Sequence, residues 1–463
     1  MKEFLSDCVQ GTGEWVELRY HQRKTNTFEA VNGRIETAVS SVRSGVGVRT
    51  LVNGAFGFSS TDDLSSTAIM RAIRNAIEQA RALSRLKKSK VPPFAAIPLA
   101  TTDYMTPGYQ SLLDTKLQDK TDLVAKMEKD GKSQSQFITR ASAHYSELLE
   151  DKVIVTSDGA CARQRLSIPE LRFNINAEKN GDRSSYRTKV AVTGDLERLF
   201  KHPTADHVVE KTAAMAVDLL ACGHTEGGQH TVILSPSLVG MLAHEAVGHT
   251  VEADFVASGS VAKGKIGQRV ASDLVTLCDT GIPPVGVNPV AQMAFDDEGV
   301  PCRNVTIIDK GVLSSYLHSR ESAAQFGVEP TGNGRAWEYD NEPLIRMRNT
   351  YFLPGSQSLD EIIADTRDGF LLDGTLSGQA DSTGEFMCGV QHALEIKNGS
   401  LTGRKFRDVT ISGVAFDVLQ SVDALSSDFQ WDLGSGYCGK WQTARVDAGG
   451  PYMRCKITLG GRK

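Results

Sequence analysis

The sequence predicts an α+β fold, in which an N-terminal part combines antiparallel sheets with flanking helices and a β-rich C-terminal part carries one histidine-bearing helix. The first 60 residues hold short runs of Val, Thr and aromatic residues separated by Asn-Gly pairs, a pattern typical of strands joined by tight turns. The hydrophobic period then changes to three and four residues, as in an amphipathic helix. Strands in a row followed by a helix, without regular alternation, favour an α+β arrangement.

The N-terminal elements follow from these patterns. Asn32-Gly33 predicts a hairpin turn between the second and third strands, and Ile69, Ile73 and Ile77 share one face of the first helix. An irregular, Pro-containing connector precedes a second amphipathic helix. The predicted strands are residues 15–21, 27–31, 35–43 and 45–51 with further strands within 137–192, and the predicted helices are residues 62–86, 112–130 and 204–221.

Cys222 to His230 is short, polar and rich in glycine, and we place the main domain boundary there. The prediction is therefore an N-terminal α+β domain over residues 1–222 and a C-terminal β-rich domain over residues 223–463.

In the C-terminal part, a strand over residues 231–234 leads into a helix that starts at Ser235-Pro236, with Ser as N-cap and Pro in the first helical turn. Residues 263–301 form a long polar stretch, which predicts a lid or binding loop. The remainder is strand-like, with a hairpin turn at Asn398-Gly399 and a helix near residues 413–425.

Bulk composition narrows the function. The 463 residues carry a net charge of -5 with a pI of about 6.1, so we expect neither nucleic acid nor a membrane as partner. No apolar run is long enough to span a bilayer, and Met1 to Trp15 lacks a signal-peptide pattern, which predicts a cytoplasmic protein. The eight cysteines contain no CxxC pair and predict free thiols in a reducing compartment.

The residues that carry chemistry are His244-Glu245-Ala246-Val247-Gly248-His249. Two nearby imidazoles are good zinc ligands, and a neighbouring glutamate can accept a proton from an activated water. The common zinc-peptidase pattern places its histidines four residues apart. Five residues on a regular α-helix leave two side chains roughly 140° apart, so we predict local distortion, either a π-type turn or a loosening at Gly248. Residues alone leave one alternative open, a satisfied polar cluster at a domain boundary.

Several further motifs extend the pattern in order along residues 231–440, and they are FDDEGVP (295–301), YLHSRESAAQFG (316–327), TGNGRA (331–336), PLIRMRNTYFLPG (343–355), GQADSTGEF (378–386) and GYCGK (436–440). With HEAVGHTVEADF (244–255), they make the chain resemble the TldD branch of the TldD/PmbA family. These proteins were first described as modulators of DNA gyrase and are regarded as metallopeptidases.

The resemblance implies a metal site of His244, His249 and Cys438, which spacing alone would not have selected over Cys388 or Cys455. It implies one zinc ion per catalytic subunit, with Glu245 as the catalytic base. It also implies a dimer, either a homodimer or a heterodimer with a PmbA-type paralogue, around an enclosed cavity that admits small or unfolded peptides.

Four other side chains are candidates for supporting roles. Glu252 or Asp254 can orient a ligand histidine, or both can be solvated surface carboxylates. His318 and Tyr316 can donate to a developing oxyanion, or make structural hydrogen bonds instead. Residues 378–386 and the RMRNTYFLPG stretch (346–355) are candidate substrate contacts through pairing with the edge of a strand.

Two other functions stay open at this point. One is a non-catalytic regulatory or scaffold protein of the gyrase-modulator type. The other is a metal amidohydrolase that acts on modified or cyclic peptides.

Overall fold

The computed structural model describes residues 1–284, 289–431 and 436–460. Helices and mainly antiparallel sheets occur together without regular alternation, which confirms the predicted α+β class.

The N-terminal region is built on one seven-stranded sheet in the order β3-β2-β1-β5-β6-β4, with β7 also paired to β6. Its helices are α1 (Lys2–Val9), α2 (Ser66–Leu86), α3 (Tyr109–Asp114), α4 (Leu117–Ser133), α5 (Leu196–Leu199) and α6 (Ala205–Asp218), followed by a 3₁₀ turn (Leu219–Ala221). Its strands are β1 (Trp15–Val31), β2 (Arg34–Val52), β3 (Ala55–Thr61), β4 (Tyr104–Met105), β5 (Ile138–Thr156), β6 (Cys161–Lys179) and β7 (Asp182–Ala191).

β1 and β2 are each one long strand where the sequence predicts two short ones. β1 continues through a polar stretch because its buried polar side chains find partners on β5. Arg23 lies 3.5 Å from the Glu150 carboxylate, and the Asn26 amide donates to Glu147. Satisfied polar groups can be buried without interrupting a strand.

The helix predicted over residues 112–130 is instead two helices, α3 and α4. The chain is extended at Thr115 and Lys116, and the Thr115 N–H donates to the Ser111 carbonyl to close α3. A hydrophobic period shared by both helices hid this break.

The C-terminal region contains two six-stranded sheets and two small two-stranded ones. Its helices are α7 (Pro236–Met241), a π-helix (Leu242–Gly248), a 3₁₀ turn (His249–Val251), α8 (Ala253–Ala257), α9 (Arg320–Phe326), α10 (Leu359–Ala364) and α11 (Ala415–Gln420). Its strands are β8 (Gly228–Leu234), β9 (Leu277–Thr280), β10 (Val305–Asp309), β11 (Val312–Leu313), β12 (Gly334–Arg335), β13 (Leu344–Ile345), β14 (Asn349–Phe352), β15 (Asp368–Ala380), β16 (Glu385–Lys397), β17 (Ser400–Val414), β18 (Ala424–Leu425), β19 (Gln430–Trp431), β20 (Tyr437–Lys440), β21 (Gln442–Arg445), β22 (Asp447–Gly450) and β23 (Met453–Gly460).

The histidine-bearing helix lies between the two large sheets. One sheet has the order β11-β10-β9-β14-β22-β19 and the other the order β17-β16-β15-β8-β23-β18. α7 and the π-helix contact β14 and β22 of the first sheet and β15 of the second. All six residues of α7 are buried, so the segment is anchored on both sides and its side chains are held in fixed directions.

The prediction of a lid over residues 263–301 is wrong for the described part of that stretch. It contains β9 and packs into the core, with Val270, Val275 and Leu277 buried. Residues 285–288 lie outside the described part of the chain.

The DDEG segment (296–299), at the end of the 263–301 stretch, contacts the N-terminal seven-stranded sheet. Lys152 of β5 lies 3.1 Å from the Asp297 carboxylate, and Arg49 of β2 pairs with Glu298. All four side chains are buried, so this segment fixes how the two regions meet.

The helix predicted near residues 413–425 is shorter than expected. α11 ends at Gln420, and Ala424 and Leu425 form β18 against β23.

The seven-stranded sheet ends before residue 192, and the strands of the other sheets begin at residue 228. The division into residues 1–222 and 223–463 stays a prediction. Within the described residues, no helix is both long and apolar enough to cross a membrane.

Candidate metal centre

The helix that carries His244 and His249 has the distortion that their spacing predicts. Leu242–Gly248 is π-helical, and the backbone N–H of His249 donates to the carbonyl of His244. A π-type turn closes on the fifth residue, so the two side chains lie on the same face. Gly248 keeps a helical conformation there and does not loosen the chain.

Gly248 matters instead because it has no side chain. A Cβ atom at this position would overlap the Met347 sulfur, so glycine allows the π-helix to pack closely against the segment after β13.

Three potential ligand atoms converge at this turn. The Nε2 atom of His249 lies 3.1 Å from the Sγ atom of Cys438, and the centroids of the two imidazole rings are 5.1 Å apart. The ligand atoms of His244, His249 and Cys438 all lie within 4.8 Å of one another. Three donors around one cation can adopt this spacing with small adjustments.

A tight hairpin brings Cys438 across 189 residues of sequence to His249. Cys438 lies on β20, opposite Ala444 of β21. The buried guanidinium of Arg346 donates to the carbonyls of Cys438 and Gln442, both at 2.8 Å. Arg346 therefore ties both strands of the hairpin to the core and sets the position of the thiol.

The chemistry of the donors fits a soft divalent cation. His244 is 2% exposed, and neither of its ring nitrogens has a hydrogen-bond partner among the described residues. Unpartnered buried nitrogens are costly unless something else binds them. Burial raises the pKa of the Cys438 thiol, but His244 and His249 outweigh this effect and lower the pKa to about 4. A thiolate and two imidazoles are ligands that zinc prefers.

A second set of residues orients His249. Its Nδ1 atom lies 3.0 Å from the Oε2 atom of Glu252, which is fully buried. Burial raises the pKa of Glu252, but the hydrogen bond and charge of His249 together with Lys440 lower it below its usual value. A carboxylate accepts the Nδ1 proton and so leaves Nε2 free to bind a cation. Glu252 is thus the orienting residue of the two predicted candidates.

Asp254, the other candidate, does not contact His249 in the described hydrogen bonds but pairs with Lys440, which also contacts Glu252. The ammonium of Lys440 lies 2.7 Å from the Asp254 carboxylate and 3.2 Å from Glu252. Lys440 is itself buried and also donates to the Ile345 carbonyl.

A cleft of about 360 Å³ opens beside the candidate ligands. Glu245, His249 and Phe255 are among its lining residues, together with residues 378–382. The first five residues of the GQADSTGEF stretch (378–386) therefore line the cleft, and their role as a substrate contact stays a prediction.

The RMRNTYFLPG stretch (346–355) is not among the cleft-lining residues that the structure describes, and its role as a substrate contact stays a prediction. It is a buried scaffold: Arg346 holds the Cys438 hairpin, and Arg348 pairs with Asp279 at 2.7 Å. Sequence cannot separate a motif that binds substrate from one that supports a site.

Tyr316 and His318 also lie elsewhere. The Tyr316 hydroxyl donates to the Ala262 carbonyl at 2.7 Å, and the His318 Nδ1 atom lies 3.1 Å from the Ser322 hydroxyl. Neither lines the described cleft, so the structural alternative applies to both.

Sequence reasoning missed Lys440, Arg346 and Phe255. Each lies within one of the family motifs, but nothing in residue type or spacing distinguishes these three from their neighbours.

With this geometry in place, comparison with known proteins assigns the class. Three family models match the chain in order: the PmbA/TldA metallopeptidase domain 1 at residues 16–84, the central domain at residues 110–220 and the C-terminal domain at residues 227–461. The last match alone spans half of the chain and contains every candidate ligand. The chain belongs to the PmbA/TldD metallopeptidase family.

Individual relatives agree. Metalloprotease MJ0996 of Methanocaldococcus jannaschii is 32% identical over 452 residues, which cover 96% of this chain and 97% of the relative. The zinc metalloprotease TldD homolog of Saccharolobus solfataricus is 36% identical over 238 residues, about half of each chain. The crystal structure of TldE from Thermococcus kodakarensis superposes with a TM-score of 0.77 at 18% identity, covering 99% of both chains. That last similarity concerns the fold alone.

Proposed function

We propose that the protein is a zinc-dependent peptidase, in which His244, His249 and Cys438 bind one zinc ion and Glu245 acts as the catalytic base. The observation that carries this proposal is the convergence of the three ligand atoms within 4.8 Å at the edge of the cleft that Glu245 lines. The relative named as a zinc metalloprotease supports the choice of metal.

The residues His244, His249 and Cys438 would hold a zinc ion, which would supply a Lewis acid for activating water and polarising the scissile carbonyl. Glu245 accepts a proton from the attacking water and returns it to the leaving amine as the C–N bond breaks. Glu252 lies within hydrogen-bonding distance of Nδ1 of His249, and a proton held there would leave Nε2 free to bind the cation.

Substrate binding has support from the strand next to the cleft. β15 pairs with β16 as far as Ala380, but it pairs with β8 only over Phe370 to Leu372. The last residues of β15, which line the cleft, therefore have no neighbouring strand on their second edge within the described sheet. An extended peptide can pair with this edge through its backbone, which gives loose side-chain preference.

We further propose that the peptides are short or unfolded and reach the site inside an enclosed dimer cavity. The partner is a second copy or a PmbA-type paralogue. Family membership supports this arrangement, and separation by size with measurement of mass tests it.

The decisive test replaces Glu245 by Gln. We expect peptide cleavage to fall by at least about a thousandfold while the zinc content stays near one ion per chain, because Glu245 is not a ligand. Glu210→Gln, on the exposed face of α6, is the matched control and should keep full activity. Unchanged cleavage by Glu245→Gln would refute the proposal.

The same variant separates the peptidase from a scaffold protein, since a scaffold keeps its cellular function after Glu245→Gln. A panel of linear, cyclic and side-chain-modified peptides, assayed with and without chelator, separates a peptidase from an amidohydrolase. Cleavage restricted to modified substrates would favour the latter.

A further inference from the structure

The most exposed large apolar side chain among the described residues is that of Trp441, which is 86% exposed. It occupies the tip of the β20–β21 hairpin, between the paired residues Lys440 and Gln442. Its φ of 55° lies in the left-handed region, which Gly or Asn would adopt at lower cost. A bulky residue that is both strained and exposed contributes nothing to the folded chain by burial, so its side chain calls for an external partner.

The place of Trp441 indicates what that partner is. Its ring lies 6.5 Å, centroid to centroid, from the ring of Phe255, with the two planes inclined by 35°. Phe255 lines the cleft and lies edge-on to the candidate ligand His249, with ring centroids 6.1 Å apart. The two aromatic rings thus form an apolar wall that leads from the candidate ligand His249, through the cleft-lining Phe255, to the exposed Trp441.

Phe255 is fixed in this wall. The ammonium of Lys440 lies 4.3 Å from the centroid of its ring in a cation–π contact, and the same ammonium forms the buried salt bridge with Glu252. Trp441 is the residue that directly follows Lys440, so one hairpin fixes the inner ring and presents the outer one. Gly378 and Ala380 of β15, which also line the cleft, are small residues.

We propose that Phe255 and Trp441 form an apolar subsite that receives a large aromatic or aliphatic side chain next to the scissile bond of a bound peptide. The inference deepens the proposed function by naming a side-chain class that the site selects. The backbone of the peptide pairs with β15, and one side chain beside the reacting carbonyl packs on the two rings. Charged and small side chains gain nothing there.

The test measures binding to the Glu245→Gln protein, loaded with zinc, so that no peptide is consumed. Peptides that differ only in the residues flanking one central bond, with Phe, Leu, Ala, Asp or Lys at either position, are compared by calorimetry. We expect Phe or Leu at one of the two positions to bind about tenfold more tightly than Ala. Adding Trp441→Ala should reduce this ratio to near one, whereas Trp441→Phe should keep most of it.

Leu86→Ala is the matched control. Leu86 is also a large apolar residue that is highly exposed (79%), but it lies at the end of α2 in the N-terminal region and not among the cleft-lining residues. Leu86→Ala should leave the ratio at its original value. The inference is overturned if the ratio is unchanged in Trp441→Ala or if all peptides weaken equally. It is also overturned if the substitution dissociates a dimer without changing selectivity, since a second copy would then cover Trp441. Failure of the unsubstituted protein to hydrolyse peptides would refute the proposed function, while this binding result would stand separately.

Discussion

The ammonium of Lys440 lies 3.2 Å from Oε2 of Glu252, the same carboxylate oxygen that lies 3.0 Å from Nδ1 of His249. One buried anion therefore links a lysine to a candidate metal ligand. The lysine compensates the charge of the carboxylate, and the carboxylate fixes the tautomer and direction of the imidazole.

Replacing Glu252 by Gln should weaken zinc binding by about 10- to 100-fold, because the side chain that contacts Nδ1 of His249 loses its negative charge. Competition with a chromophoric chelator measures the affinity. Asp254→Asn is the control: Asp254 contacts Lys440 but is partly exposed, so its effect should be smaller. Equal affinities for the Glu252→Gln variant and the unsubstituted protein would remove Glu252 from the site's support.

Replacing Lys440 by Met should lower the free energy of unfolding by about 3 kcal/mol, because a buried carboxylate loses its counter-charge. Urea denaturation measures this change. Lys405→Met breaks an exposed pair with Asp218 and should cost less than about 1 kcal/mol. If the two variants were equally stable, the buried Lys440–Glu252 pair would contribute no more to the free energy of unfolding than the exposed Lys405–Asp218 pair.

Gly248→Ala should destabilise the π-helical turn and weaken zinc binding, since the added methyl overlaps the Met347 sulfur. Met347→Ala removes that overlap. We therefore expect the double variant to be less impaired than the sum of the two single changes, by about 1 kcal/mol or more. A thermodynamic cycle of unfolding free energies tests this, and simple additivity would contradict the close contact.

The burial of His318 should make the free energy of unfolding depend on pH. Burial lowers the pKa of His318 to about 4, so the unfolded chain binds a proton more readily than the folded one. Its contribution is fully present above about pH 6.5, is lost as pH falls toward 4, and amounts to about 3 kcal/mol. His318→Gln should flatten the fall in unfolding free energy between pH 6.5 and 5, whereas exposed His207→Gln should leave it as steep as before. An unchanged slope for His318→Gln would mean that folding does not lower the pKa of His318.

How far the sequence leads can be judged from particular residues. The five-residue step from His244 to His249 predicts a local distortion, because a regular α-helix cannot align the two rings, and the structure shows that this distortion is a π-type turn. The family resemblance adds Cys438, whose approach depends on a hairpin joined to a distant helix and cannot be derived from spacing.

Other features depend on tertiary partners that local patterns do not contain. β1 runs unbroken through Arg23 and Asn26 because β5 supplies their partners, so the two short predicted strands are one in the structure. The sequence predicts substrate contacts for residues 346–355, but Arg346 points into the core and binds the Cys438 carbonyl. Lys440 compensates the charge of Glu252 only because folding brings the two residues, which are distant in sequence, into contact.

The central claim is that His244, His249 and Cys438 share one zinc ion. X-ray absorption at the zinc edge of the purified protein tests it most directly. We predict one sulfur ligand at about 2.3 Å and two imidazole nitrogens at about 2.0 Å, with the sulfur contribution absent from Cys438→Ser. A zinc ion without a sulfur neighbour, or a sulfur signal that persists in Cys438→Ser, would contradict the account.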